Sequence, residues 1–330
     1  MATDKVEVPS RIQVHRERPQ AIEIATQTLE RYGILLAFFA LCIVLSFLSP
    51  YFLTFNNFFN VLLQASINLV VAIGMTFVIT SAGIDLSVGS IVALAGLVMA
   101  DAMNKDLGLP VAILLALLVG AAVGFLNGIL ITRLRLPPFI VTLGSMSVVR
   151  GLALIYSNGR PIYGLPQQEL RVISGYIGPV PIPVIIALAV AALAHFVLHY
   201  TVIGEYTIAI GGNEEAARLS GINVHRYKVI IYSISGLMSG LAGVILTARL
   251  SAAEPIAGML YELDAIAATV MGGTSLMGGQ GTIFGTIIGA LLMSVLRNGL
   301  NLLNIQAYYQ QVAIGSVIIL AVAVDMLRKR

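Results

Sequence analysis

The apolar residues of this chain come in long runs separated by short polar or glycine-rich breaks. From Gly33 to Thr132 only four residues are charged: Asp85, Asp101, Lys105 and Asp106. A helix needs about 20 apolar residues to cross a bilayer, so this stretch alone holds four spans. Along the whole chain the runs predict ten, over 34–52, 67–81, 86–103, 109–132, 139–156, 180–200, 229–248, 263–271, 282–300 and 307–327. The expected fold is an all-α membrane protein, a polytopic bundle of about ten transmembrane helices. It forms a single domain over 34–330 behind a polar tail over 1–33. No apolar core with a cleavage site follows Met1, so the tail is read as cytosolic, with a helix over Ala21 to Arg31.

Composition agrees. Of 330 residues 58% are hydrophobic and 11% charged, and the mean hydropathy is +0.93. Too few polar residues are present to coat a water-soluble core, which excludes a disordered chain, a coiled coil and an ordinary soluble enzyme. One cysteine, Cys42, excludes an internal disulfide. The net charge of +3 is not gathered into a basic patch interleaved with aromatics, so nucleic acid is not expected as a partner. Position matters more than sum. With ten spans and both termini cytosolic, 13 of 19 Lys and Arg residues fall inside and five outside, with Arg150 within the fifth span. Dropping the short eighth span would put Arg328, Lys329 and Arg330 outside, against that rule.

Two spans pairs look broken. Residues 80–90 read TSAGIDLSVGS and 272–281 read GGTSLMGGQG. Aligning Gly83 with Gly273 also pairs Leu86 with Leu276 and Gly89 with Gly279, a faint internal repeat of the kind transporters carry. Glycines there suit hinges or close helix approach. The largest polar interruption is 203–228. Within it Glu214, Glu215, Ala216, Ala217, Arg218 and Leu219 are helix formers, and Ser220-Gly221 is a helix stop. A short amphipathic cytosolic helix over 213–220 follows. It is either a plain loop element or a segment that docks into a groove on another protein.

The spacing of Glu215-Ala216-Ala217, three residues, Gly221, nine residues and Ile231 resembles the loop by which permeases of ATP-binding-cassette importers engage their ATPase. After Ile231 the match lapses, because Ser233 and Ile234 stand where that loop has Leu and Pro. NEEAARLSGI at 213–222, AGIDLSVGSIVALAG at 82–96, YELDAIAA at 261–268, GGTSLMGGQGTIFGT at 272–286 and NGLNLL at 298–303 resemble the ribose-type monosaccharide permeases of that class. The likeness covers Ser49 to the C-terminus. It implies a non-catalytic subunit of a monosaccharide importer in the inner membrane, with ribose the expected solute. Another sugar, inositol, an autoinducer or a nucleoside are the alternatives. It also implies a second permease chain, identical or paired, and a cytosolic ATPase with two fused cassettes. A periplasmic or lipoprotein sugar-binding protein would deliver the solute. No GxxxxGK[ST] sequence occurs, so ATP hydrolysis is left to a partner, and no cofactor is expected.

Candidate residues follow. The coupling set is Glu214, Glu215, Ala216, Ala217, Arg218 and Gly221. Asn68, Thr80, Asp85, Asn127, Asn298 and Asn301 are candidates for the solute path, since amides and hydroxyls can replace water around a sugar. The other account of each is interhelical packing. Asp85 reads either as an N-terminal cap of the third span or as a functional intramembrane carboxylate. Without a second intramembrane acid beside it, an ion-coupled secondary transporter is the less favoured function. Glu254, Glu262 and Asp264 are docking candidates for a binding protein, or charge compensation at a helix N-terminus. His195 and His199 share a helix face without further ligands, so no metal site is expected.

Overall fold

The computed structural model describes residues 20–328. Residues 1–19 of the expected tail and the last two basic residues lie outside that range. The described chain is helical but for one two-stranded hairpin. Its helices are α1 (Gln20–Leu48), α2 (Phe55–Thr80), α3 (Val88–Asn104), α4 (Leu109–Arg133), α5 (Pro138–Tyr156), α6 (Gln167–Ser174), α7 (Ile182–Tyr200), α8 (Val202–Gly212), α9 (Glu214–Leu219), α10 (Val224–Leu250), α11 (Tyr261–Met271), α12 (Ile283–Leu302) and α13 (Ala307–Arg328). Strands β1 (Tyr176–Ile177) and β2 (Val180–Pro181) pair antiparallel between α6 and α7.

Six helices, α2, α4, α5, α7, α10 and α12, are long and apolar enough to cross a membrane. Shorter apolar stretches lie in α1, α3 and α13, and α11 has eleven residues. These ten are the ten expected spans. Differences at their ends have local causes. The helix expected over Ala21 to Arg31 and the first span form one helix, α1, which stops before Pro50. The second span begins twelve residues earlier than hydropathy suggests, because Asn56, Asn57, Asn60 and Gln64 dilute the apolar signal without breaking the helix. There Thr54 caps α2 by accepting the Asn57 N–H at 3.4 Å. Amphipathic α6, with Leu170 and Ile173 buried three apart, was not expected at all.

The core is built round α2, which packs on α7, α10, α11 and α12. From Ala65 to Thr80 all of it except Asn68 is buried. Helix α10 lies between α2, α3 and α4. Its contact with α4 runs along small residues four apart, the usual route to close packing where lipid removes the hydrophobic drive between helices. A Cβ on Gly124 would collide with the Tyr232 carbonyl oxygen, and one on Gly120 with that of Gly236. Helices α4, α5 and α7 expose apolar side chains such as Leu126, Ile155 and Leu193 on the outside of the bundle.

The two breaks lie beside each other. The end of α2 and the end of α11 share one hydrogen-bonded form. Ala82 N–H donates to Ile79 O and Gly83 N–H to Val78 O, both at 2.9 Å. Gly273 N–H donates to Val270 O at 2.9 Å and Thr274 N–H to Thr269 O at 3.1 Å. Ala82 (φ 58) and Gly273 (φ 90) take the left-handed position. The same pair of bonds also ends α3, α5, α9 and α12, so it is a general helix stop of this chain and not a mark of the expected repeat. The second break, 272–282, is also four residues longer than the first, 81–87.

The small-residue seam gives a direct check. Gly124→Ala should destabilise the protein by about 1–3 kcal/mol, the usual cost of overpacking. Gly151→Ala, where nothing lies within 4 Å of the new carbon, should leave the melting temperature of the purified protein unchanged.

Candidate coupling site

After α7 the chain turns at Thr201 and enters α8, which packs against α2, α7, α9 and α10. Half of the interruption expected to be polar loop is thus a packed helix. Its buried residues are Gly204, Thr207, Ile210 and Gly211, a helical spacing that hydropathy alone hides. Asn213 then leaves the helix in extended conformation, and its Oδ1 accepts the Ala216 N–H at 2.9 Å. That cap starts α9, the short helix expected over 213–220.

Helix α9 carries acids in its first turn and Arg218 in its last, the arrangement its dipole favours. Lys228 Nζ donates to Glu214 at 2.6 Å, which ties α9 to α10. Arg218 pairs with Glu215 on the exposed face. Ala217 alone is buried, in a small cluster with Ile210 and Val224. The helix ends because Gly221 takes φ +86°, where its N–H reaches Arg218 O and the Ile222 N–H reaches Ala217 O. Asn223 Oδ1 then accepts the Arg226 N–H at 3.0 Å to start α10. Leu219, 80% exposed, is the apolar tip. The result is a rigid projection with a free outer face, the shape that fits a groove on a partner.

The projection is joined to the breaks through backbone. A Cβ on Gly211 would collide with the Thr80 carbonyl oxygen, and Gly278 packs against Gly211 and Ala82. Gly279 N–H donates to Thr80 O at 2.9 Å. The end of α8, the end of α2 and the loop before α12 therefore meet at one point. Thr80 itself is fully buried and its hydroxyl has no hydrogen-bond partner.

Asp85 lies in the first break and is fully buried. One carboxylate oxygen accepts the Ser87 N–H at 3.0 Å and the Ser87 hydroxyl at 2.6 Å. The other accepts the Ser235 hydroxyl of α10 at 2.8 Å. Asn127 of α4 donates to Ser87 Oγ at 2.9 Å, and Thr142 of α5 donates to Ile84 O at 3.1 Å. Asp85 thus serves the N–H two residues on, just outside α3, and also bolts the break to α10. Three donors to one carboxylate offset much of its burial cost.

The other path candidates are spread out. Asn127 joins Asp85 through Ser87, with Thr80 nearby in sequence at the same break. Asn298 exchanges two hydrogen bonds with Asn57, at 2.8 and 3.1 Å, at the far end of α12. Exposed Asn301 accepts from Gln310 at 2.8 Å, and Asn68 is half-buried midway along α2. Of the docking candidates, Glu254 is half-buried in the loop before α11, and Glu262 packs against Gly89 of α3. Asp264 is 2% exposed and pairs with Arg297 at 2.6 Å. Arg150, whose partner hydropathy does not indicate, donates to the carbonyls of Pro255 and Ala257 at 2.7 and 2.8 Å.

A family model described as branched-chain amino acid transport system / permease component matches residues 57–322, from α2 into α13. The chain belongs to this permease family. The permease is 49% identical over 296 residues to the ribose import permease protein RbsC of Escherichia coli (strain K12), covering 88% of this chain and 92% of that one. To the ribose import permease protein RbsC of Bacillus subtilis (strain 168) it is 48% identical, covering 90% and 93%. It is 42% identical to the D-allose transport system permease protein AlsC of Escherichia coli (strain K12), covering 90% and 92%. No solved structure matches. The permease is a multi-pass membrane protein of the sugar-importer kind, a transport subunit.

The Asp85 network predicts an order of effects. Asp85→Ala leaves the Ser87 N–H and the Ser235 hydroxyl unpaired and should cost about 1–3 kcal/mol. Asp85→Asn keeps an acceptor for Ser87 and should cost less. Thermal unfolding of the purified permease measures both. The pattern of sugars that compete for uptake should be the same in both variants.

Proposed function

We propose that the permease forms half of the translocation path of a ribose importer. Identity of 45–49% to three ribose import permeases, each over 88–90% of the chain, carries this reading. Two permease chains, identical or paired, enclose the path in the inner membrane with both termini cytosolic. A separate ATPase with two fused cassettes supplies the energy, and a periplasmic or lipoprotein sugar-binding protein docks on the outer side. There Glu254 and Glu262 are half-buried and Asp264 is buried. The path candidates are Asn68, Thr80, Asp85, Asn127, Asn298 and Asn301. The family description names branched-chain amino acids, and that substrate is the second reading.

In this mechanism the ATPase grips α9 through Glu214, Glu215, Ala216 and Arg218. Closure of the cassettes moves α9 and α8 as one body, since Ala217 and the Glu214–Lys228 pair fix them to α10. Gly211 then presses on Thr80 and Gly279, and both breaks move together as the inner gate.

Uptake of labelled ribose by cells with and without the gene, competed by unlabelled sugars and amino acids, tests the substrate. Loss of uptake on deletion, with competition by ribose alone, is expected. Competition by leucine and not by ribose would establish the second reading. Gly221→Pro cannot take the left-handed turn, and Glu215→Lys faces Arg218. Each should lower uptake about tenfold or more, about 1.4 kcal/mol in rate, while ATP hydrolysis continues and the permease remains folded. Full uptake by both variants would remove α9 from the mechanism.

A further inference from the structure

Between α9 and the loop joining α4 to α5 lies an open cleft of about 600 Å³, a size that suits a small ligand or headgroup. Its polar wall holds Arg135, Arg218 and Lys228, with Glu214 the one carboxylate. Lys228 is already paired with Glu214, and Arg218 with Glu215. Arg135 stands in the left-handed region at φ 54 and has no acidic partner among the described residues. Arg133 beside it meets only His225, at 3.5 Å. Of the charged residues lining the cleft, three are basic and one is acidic, and Arg135 is the one without an acidic partner among the described residues. The cleft therefore has uncompensated positive charge.

Its other wall is apolar. Ile131, Leu136 and Pro138 come from the last turn of α4, the connecting loop and the first turn of α5. These are the ends of two spanning helices. Next to them Leu134, Phe139 and Ile140 are 61%, 49% and 56% exposed, a surface for acyl chains rather than water. We propose that this cleft binds the phosphate headgroup of an anionic phospholipid of the cytosolic leaflet, with Arg135 as its principal contact and the acyl chains lying on Leu134, Phe139 and Ile140. Basic cavities at the cytosolic ends of membrane helices recognise such headgroups by charge. The assignment to the cytosolic leaflet rests on the reading of α9 as the ATPase-facing helix. Because Lys228 ties α10 to Glu214 and Arg218 belongs to α9, a lipid bound here touches α9 itself.

The test uses the full-length permease in nanodiscs of phosphatidylcholine alone or mixed with phosphatidylglycerol, with retained lipid measured by native mass spectrometry. The wild type should retain phosphatidylglycerol selectively. Arg135→Gln should lower its occupancy about fivefold, the loss of one cation at an anionic headgroup. Arg135→Lys should restore it, and Arg226→Gln, outside the cleft, should not change it. Equal retention of the two lipids by the wild type would overturn the proposal. So would displacement of phosphatidylglycerol by inorganic phosphate, which would make this a free-anion site. Loss of the co-purifying ATPase from Arg135→Gln in pure phosphatidylcholine would overturn it too, by making the cleft a protein contact. Lipid retention is read without ATP or sugar, so it fails or holds separately from the uptake and Gly221→Pro experiments.

Discussion

A helix that stops inside an apolar bundle strands its last carbonyls, and the first N–H groups of the next segment, away from water. Each stranded group costs a few kcal/mol in such surroundings. Two helices of this permease, α2 and α11, stop in this way, and much of the architecture serves to satisfy them. Both ends close with the same pair of backward hydrogen bonds. The remaining Thr80 carbonyl is met by the Gly279 N–H of the other break, and Asp85 takes up the N–H at the start of α3. The second break thus supplies a donor to the end of α2, which places the two glycine-rich stretches side by side.

That arrangement also suits transmission. Direct backbone contact at Gly211, Thr80 and Gly279 leaves no side chain to yield when α8 moves. Close-packed interiors pass displacement on rather than absorbing it. The cap at Asn213, the turn at Gly221 and the Glu214–Lys228 pair make α9 stiff in spite of its six residues.

The charges within the bundle follow one rule. Asp85 has three hydroxyl or N–H donors, Arg150 has two carbonyls and Asp264 has Arg297. The Asp85 oxygens are both met, whereas Asp264 Oδ1 is buried without a hydrogen-bond partner, and removing one partner of a buried pair is more costly than never having had the pair. Arg135, in the loop between α4 and α5, has no acidic partner among the described residues.

The long apolar spans, the short helix α9 and its glycine stop were legible because each depends on residues a few positions apart. Run length sets a span, and Asn213 and Gly221 mark the two ends of α9. Helix α8 escaped because its eleven residues are too few for a span and lie inside a segment otherwise rich in charge. Sequence alone thus determined that the chain is a polytopic helical bundle with a short capped helix between α8 and α10, because lipid solvation and helix capping act locally. Only the tertiary structure decided which polar groups meet. Asp85 and Ser235 are 150 residues apart, and Asp264 and Arg297 belong to different helices. Their pairing is set by how closely the glycine-faced helices approach, and that distance is a property of the packed bundle.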